Sequence, residues 1–182
     1  MSTYIALLRA INVGGTAKVA MSELRAAVSE MGFDDVQTVL QTGNLVLRGE
    51  AASEAAIARQ LEEQARKRLG LRTAFIVRTA KDWQADIAKN PFPDAAESDP
   101  SHLVVMFLKD APEENAVKAL REAIKGREVV QAHGKHLYVV YPDGIGRSRL
   151  TIDLIERKLG TQGTGRNWNT VLKLAAPAAA TP

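Results

Sequence analysis

Five short stretches of the chain bring together side chains capable of chemistry. Arg9 interrupts an apolar run from Tyr4 to Ile11. A buried, unpaired charge is very costly. Arg9 therefore either pairs with a core-facing carboxylate or, near a strand end, meets an anion through its two-pronged guanidinium. Asn12, Gly14, Gly15 and Lys18 follow as a basic, glycine-containing loop. Backbone N–H groups in such a loop can hold an anion, and a tight turn is the plainer account. The loop is not a P-loop, whose last glycine runs directly into Lys and then Ser or Thr. Gln41-Thr42-Gly43-Asn44 has hairpin chemistry, while amides such as Asn44 can also read base edges or sugars.

Two further stretches lie near the C-terminus. Asp143 to Arg149 lies between a strand and a helix and places Arg147, Ser148 and Arg149 at the helix start. Cations oppose the helix dipole there, so these arginines point to an acidic side chain or an anionic ligand. Arg166-Asn167-Trp168-Asn169 combines a cation, two amides and an indole. That set suits a nucleobase with its phosphate, or equally a helix cap beside a core-filling Trp. Asp143 is the one carboxylate inside these stretches, so it is the candidate acid or base of any catalysis.

Other chemistries find little material. The chain has no cysteine, which removes disulfides, iron–sulfur clusters, thiolate zinc sites and cysteine nucleophiles. His102, His133 and His136 have no carboxylate beside them in sequence, so no metal site is expected. Ser148 has no nucleophile motif around it. Glu62-Glu63 and Glu113-Glu114 are adjacent pairs, do not share a helix face, and read as solvated surface. No cofactor is expected.

The elements that must position these residues are legible from periodicity. The 182 residues are 46% apolar and 25% charged, with a net charge of +3. That is enough for one domain or two small ones, and no apolar run is long enough to span a membrane. The N-terminus shows no signal peptide, so the cytoplasm is the expected location. The first half reads as a strand from Tyr4, a helix capped by Ser22, strands at 36–40 and 45–47, a helix opened by Ser53, a strand at 73–77 and a short helix after Thr79. Asn90-Pro91-Phe92-Pro93 opens a linker over 90–101. The second half repeats the order: a strand at 102–108, a helix at 112–125, strands at 128–132 and 137–141, a helix at 149–159, a segment near 162–165 and a helix at 168–174. The alanine-rich 175–182 reads as a disordered tail. Each half carries the β-α-β-β-α-β order of a ferredoxin-like unit. The expected fold is therefore α+β, a tandem pair (1–89 and 102–174) of antiparallel sheets with helices on one face. The two halves share this order and no obvious residues.

Four of these stretches form a recognisable pattern: 7–15, 41–44, 141–148 and 166–171. In that order, over about Tyr4 to Leu174, the chain resembles the domain of unknown function 1697 family of uncharacterised bacterial proteins. The family usually has Gly where this chain has Ala10, and Ser where it has Thr42. The resemblance implies tandem ferredoxin-like units and no known activity.

Charge is unevenly spread. Residues 1–22 hold Arg9 and Lys18 and no acid, residues 90–133 are acidic overall, and residues 134–182 hold seven basic side chains against three acidic ones. The basic ends coincide with the Gly- and Asn-containing stretches. The expected function is binding of an anionic ligand, nucleic acid or a phosphorylated small molecule, with no membrane partner. The alternatives are an enzyme acting on an anionic metabolite between the halves, and a structural module in which all the motifs are turns and packing.

Overall fold

The computed structural model describes residues 1–9 and 20–180. The chain divides into two compact units, Met1–Ala88 with Lys173–Pro182, and Lys89–Leu172.

In the first unit, β1 (Ser2–Leu8) is followed by α1 (Met21–Ser29), β2 (Asp34–Thr38), β3 (Asn44–Gly49), α2 (Glu54–Leu69), β4 (Phe75–Thr79) and α3 (Ala80–Ala88). The sheet order is β2-β3-β1-β4, antiparallel throughout. Tyr4, Ala6 and Leu8 alternate along β1 and pack with Leu45, Leu47, Phe75 and Val77 against Leu24 and Val28 of α1 and Ile57, Leu61 and Ala65 of α2. Ile5 and Leu7, on the opposite face of β1, are equally buried. A strand covered on both faces reads as a continuous apolar run, as this one does.

The second unit repeats the plan. It opens with a short helix α4 (Pro93–Ser98) and a 3-10 turn (Pro100–His102). Then come β5 (Leu103–Leu108), α5 (Glu114–Ala123), β6 (Val129–His133), β7 (His136–Val140), α6 (Ile152–Leu159) and β8 (Gly163–Asn167). Its sheet order is β6-β7-β5-β8, the counterpart of the first. Val104, Met106, Leu108, Leu137 and Val139 pack against Val117 and Leu120 of α5 and Ile155 and Leu159 of α6.

Local signals set the helix ends. Ser53 accepts the Ala56 N–H at 3.1 Å and Thr151 accepts the Leu154 N–H at 3.2 Å. Each such cap stabilises its helix by about 1 kcal/mol. Gly70 and Gly160 end α2 and α6 in the left-handed conformation, which glycine adopts without a Cβ clash. Each loop into the second helix is also tied by a tyrosine. The Tyr4 hydroxyl donates to the Ala52 carbonyl at 3.0 Å and the Tyr141 hydroxyl to the Leu150 carbonyl at 2.9 Å. Ala52 and Leu150 each immediately precede the capping residue.

Three expectations change. Ser22 lies inside α1, whose N-cap is Ala20 with no side-chain cap. The segment 90–101, read as a linker, holds α4 and most of the 3-10 turn and belongs to the second unit. The last helix, α7 (Trp168–Ala180), runs past Leu174 through Pro177, so residues 175–180 are helical rather than a disordered tail. Ala175 and Ala178 are buried, and tertiary burial of that face outweighs the proline.

Candidate functional site

The structure joins two of the sequence motifs in the first unit and sets the other two on either side of one strand in the second. In the first, the Leu8 N–H donates to the Gly43 carbonyl at 2.9 Å, and Leu7 pairs with Asn44. The end of β1 therefore lies against the Gln41–Asn44 turn. Arg9 sits just past the strand rather than within it. Its N–H donates to the Ala74 carbonyl at 3.0 Å and its own carbonyl accepts the Thr73 hydroxyl. Asn44 is fully buried, and its amide donates to the Val39 carbonyl at 2.9 Å and to the Thr42 hydroxyl at 2.7 Å. Those bonds close a turn in which Leu40 holds a positive φ of 62°. The Asn44 amide is therefore a brace for the turn. Asn12, Gly14, Gly15 and Lys18 lie outside the described residues.

In the second unit the other two motifs flank the start of β5, one on either side. Asn167 pairs with Val104, and the Tyr141 N–H donates to the His102 carbonyl at 2.8 Å. Arg147 ends a 3-10 turn, Ile145–Arg147, and points outward, as does Arg149. Between them Ser148 turns inward. Its hydroxyl donates to Glu128 at 2.6 Å and accepts the Leu150 N–H at 3.0 Å. Ser148 thus pins the loop while its two neighbours face solvent. Among the described residues neither Arg147 nor Arg149 makes an ion pair.

Asp143 has a fixed partner. Arg127 grips both carboxylate oxygens, Nε to Oδ2 at 3.3 Å and Nη2 to Oδ1. That hydrogen bond holds the Asp143 carboxyl below its ordinary value, and the charges of Arg147 and His102 add to the effect. A carboxylate held in this state is a poor acid or base near neutral pH. Nearby, His102 Nδ1 lies 2.8 Å from Asp99 Oδ2. Arg127, Glu128, Asp99 and His102 complete this polar cluster. They carried no sequence signal, because three come from segments without a motif and the histidine's acid stands three residues before it rather than beside it.

The fourth motif faces inward. Arg166 is buried, and its Nη1 donates to the Thr164 hydroxyl at 2.6 Å and the Gly165 carbonyl at 2.9 Å. Burial lowers its pKa to about 10. Trp168 is only 6% exposed, so it is packing, not a stacking platform. Asn167 accepts the Thr170 N–H at 3.0 Å and caps α7, while Asn169 is exposed. His136, from the second hairpin, is buried with its ring edge-on to Phe107 at 5.3 Å.

A family model described as a protein of unknown function, DUF1697, matches residues 1–138. The structure is similar to that of the conserved bacterial protein SP0830 from Streptococcus pneumoniae. The TM-score is 0.75 and the identity 21%, over 97% of this chain and 98% of the other. At that identity the likeness speaks for the fold alone. No curated protein matches.

Proposed function

The chain belongs to the DUF1697 family of proteins of unknown function, and on that premise we propose that it binds an anionic ligand at the loop between β7 and α6. One observation carries this reading: Arg147 and Arg149 stand exposed at the approach to a helix, without an ion-pair partner among the described residues, on a loop fixed by Ser148. Paired guanidiniums on a pre-set backbone favour a phosphate or carboxylate over a neutral ligand.

A phosphorylated small molecule suits this loop better than nucleic acid. Base stacking on an aromatic side chain is worth about 1–3 kcal/mol per base, and Trp168 is buried. Among the described residues the exposed large hydrophobic side chains are Met1, Leu40, Val129, Ile145 and Leu172, none of them aromatic. The Arg127 pairing weighs against Asp143 as the acid or base of the enzyme reading.

The test is a thermal-shift screen of phosphorylated metabolites, followed by calorimetry on the parent and on Arg147→Ala/Arg149→Ala. At least one ligand should stabilise the parent, and the double variant should bind it at least tenfold more weakly. A double variant that binds as tightly as the parent removes this loop from the site. Tight binding of single-stranded DNA or RNA at low salt, in place of the metabolites, would restore nucleic acid as the partner.

A further inference from the structure

We propose a second anion site, independent of the Arg147/Arg149 loop, in the depression between α2 and the segment 71–73 that leads into β4 of the first unit, and assign it to a pyrophosphate-type group. This depression of about 380 Å³ is lined by Arg59, Glu62, Glu63, Arg66, Arg72 and Thr73, with Leu71 at its base. Its volume falls in the range of small-molecule sites, about 300–1,000 Å³.

The geometry follows from the sequence. Arg59, Glu62, Glu63 and Arg66 recur at three- and four-residue steps and form one stripe of α2. The helix then ends at Gly70 in the left-handed conformation. The Gly70 N–H donates to the Arg66 carbonyl at 3.1 Å and the Leu71 N–H to the Ala65 carbonyl at 3.2 Å. That turn buries Leu71 and leaves Arg72 exposed beside the stripe. Thr73 then anchors the rim through its hydroxyl, which donates to the Arg9 carbonyl.

Both carboxylates in the depression are already engaged. Glu62 accepts the Phe75 N–H at 2.9 Å, tying α2 to β4. Glu63 accepts Lys67 at 2.6 Å, which holds its carboxyl below the ordinary value. Arg68 pairs with Glu30. Arg59, Arg66 and Arg72 make no ion pair among the described residues. A helix dipole accounts for a cation at position 66, in the last turn, but not for Arg59 or for Arg72, which lies beyond the helix.

The second unit supplies an internal control. There the equivalent depression, about 390 Å³, is lined by Asp153, Glu156, Arg157, Gly160, Thr161 and Gln162. The same brace builds it: Glu156 accepts the Gly163 N–H at 3.4 Å, as Glu62 accepts that of Phe75. Yet acids outnumber bases in its lining, whereas in the first unit bases outnumber acids. Packing of the α/β junction requires the glutamate and not the arginines. Three planar forks around one hollow match a group with several acceptor edges, and a diphosphate offers more of them than a single phosphate.

The experiment is isothermal titration of inorganic pyrophosphate, at low ionic strength and without metal, into the full chain and four variants. The parent should bind. Arg59→Gln/Arg72→Gln should bind at least tenfold more weakly, with an unchanged circular dichroism spectrum. Glu63→Gln, which removes a negative charge and frees Lys67, should bind several-fold more tightly. Asp153→Asn and Arg147→Ala/Arg149→Ala should bind as the parent does. The proposal is overturned if the parent takes up no pyrophosphate, or if Arg59→Gln/Arg72→Gln binds unchanged. It is also overturned if binding is lost in Arg147→Ala/Arg149→Ala instead, a result that would leave the β7–α6 loop as the anion site.

Discussion

The final strands of the two units, β4 and β8, occupy the same place in their own sheets and fill it with opposite residues. Aligned by their pairing to β1 and β5, Phe75 corresponds to Gly163, Val77 to Gly165, Arg78 to Arg166 and Thr79 to Asn167. In the first unit Phe75 and Val77 fill the core beneath α2. In the second, the neighbouring strand fills that space. A Cβ at Gly163 would fall 2.9 Å from both the Phe107 carbonyl and Leu108, and one at Gly165 3.0 Å from the Met106 sulfur. The frame therefore fixes strand order and pairing, while the volume that completes each core can come from either partner strand. Two substitutions at one position test this. Phe75→Ala opens a cavity and should cost about 3–5 kcal/mol. Gly163→Ala overpacks against a backbone carbonyl and should cost about 1–3 kcal/mol. Urea denaturation measures both. A neutral Gly163→Ala would mean that β8 has slack that β4 lacks.

The buried arginines sharpen the comparison with a smaller effect. Burial lowers the pKa of Arg78, and the charges of Glu54, Asp86 and Asp82 oppose that shift, Glu54 at 3.9 Å. Arg166 is lowered by burial and donates to neutral oxygens of Thr164 and Gly165. Arg78→Met removes the cation facing the partly buried Glu54 carboxylate and should cost less than the about 3–5 kcal/mol of breaking a fully buried pair. Arg166→Met loses hydrogen bonds from a charged donor, worth about 1.5–3 kcal/mol each, offset by relief of the desolvation that lowers its pKa, and should cost less. Equal losses would show that the two arginines do the same work despite their different neighbours.

The strand and helix order was legible because each element carries its own period, and the shared order of the halves gave the fold. The residue-level correspondence was hidden by length. α2 has 16 residues and α6 has 8, and the loop into the second helix runs from Glu50 to Ser53 in one unit and from Tyr141 to Thr151 in the other. With that shift, Glu62 and Glu156 or Tyr4 and Tyr141 do not align by eye. They are equivalent only through the N–H and carbonyl groups they bind. Burial was the other blind spot. Arg166 and Trp168 look like a ligand platform in sequence, since nothing local shows that the end of β8 and the start of α7 turn their side chains inward. The periodicity places Arg149 in the helix, whereas α6 begins three residues later at Ile152, so both arginines precede it. The inward turn of Ser148 depends on Glu128, twenty residues away.

The smallest expected effect concerns the extra loop length of the second unit, which carries Asp143, Arg147 and Arg149. Arg127 holds the Asp143 carboxyl below its ordinary value of 3.8. A carboxyl with a lowered folded value contributes stability above its ordinary value and loses it as pH falls through the folded value. Asp143→Asn should therefore flatten the acid limb of the stability profile below about pH 4 and leave stability near neutrality little changed, since exposed ion pairs contribute little. The same variant frees Arg127 beside the two outward arginines. If the loop holds an anion, Asp143→Asn should tighten binding several-fold at low salt, with the gain fading as salt screens it. A proton-transferring role for Asp143 predicts the reverse for turnover. The first unit has Ala51 at the corresponding place after β3 and no such pair to release. A gain in affinity confined to the longer loop would make its charge pattern, rather than the shared frame, the seat of function.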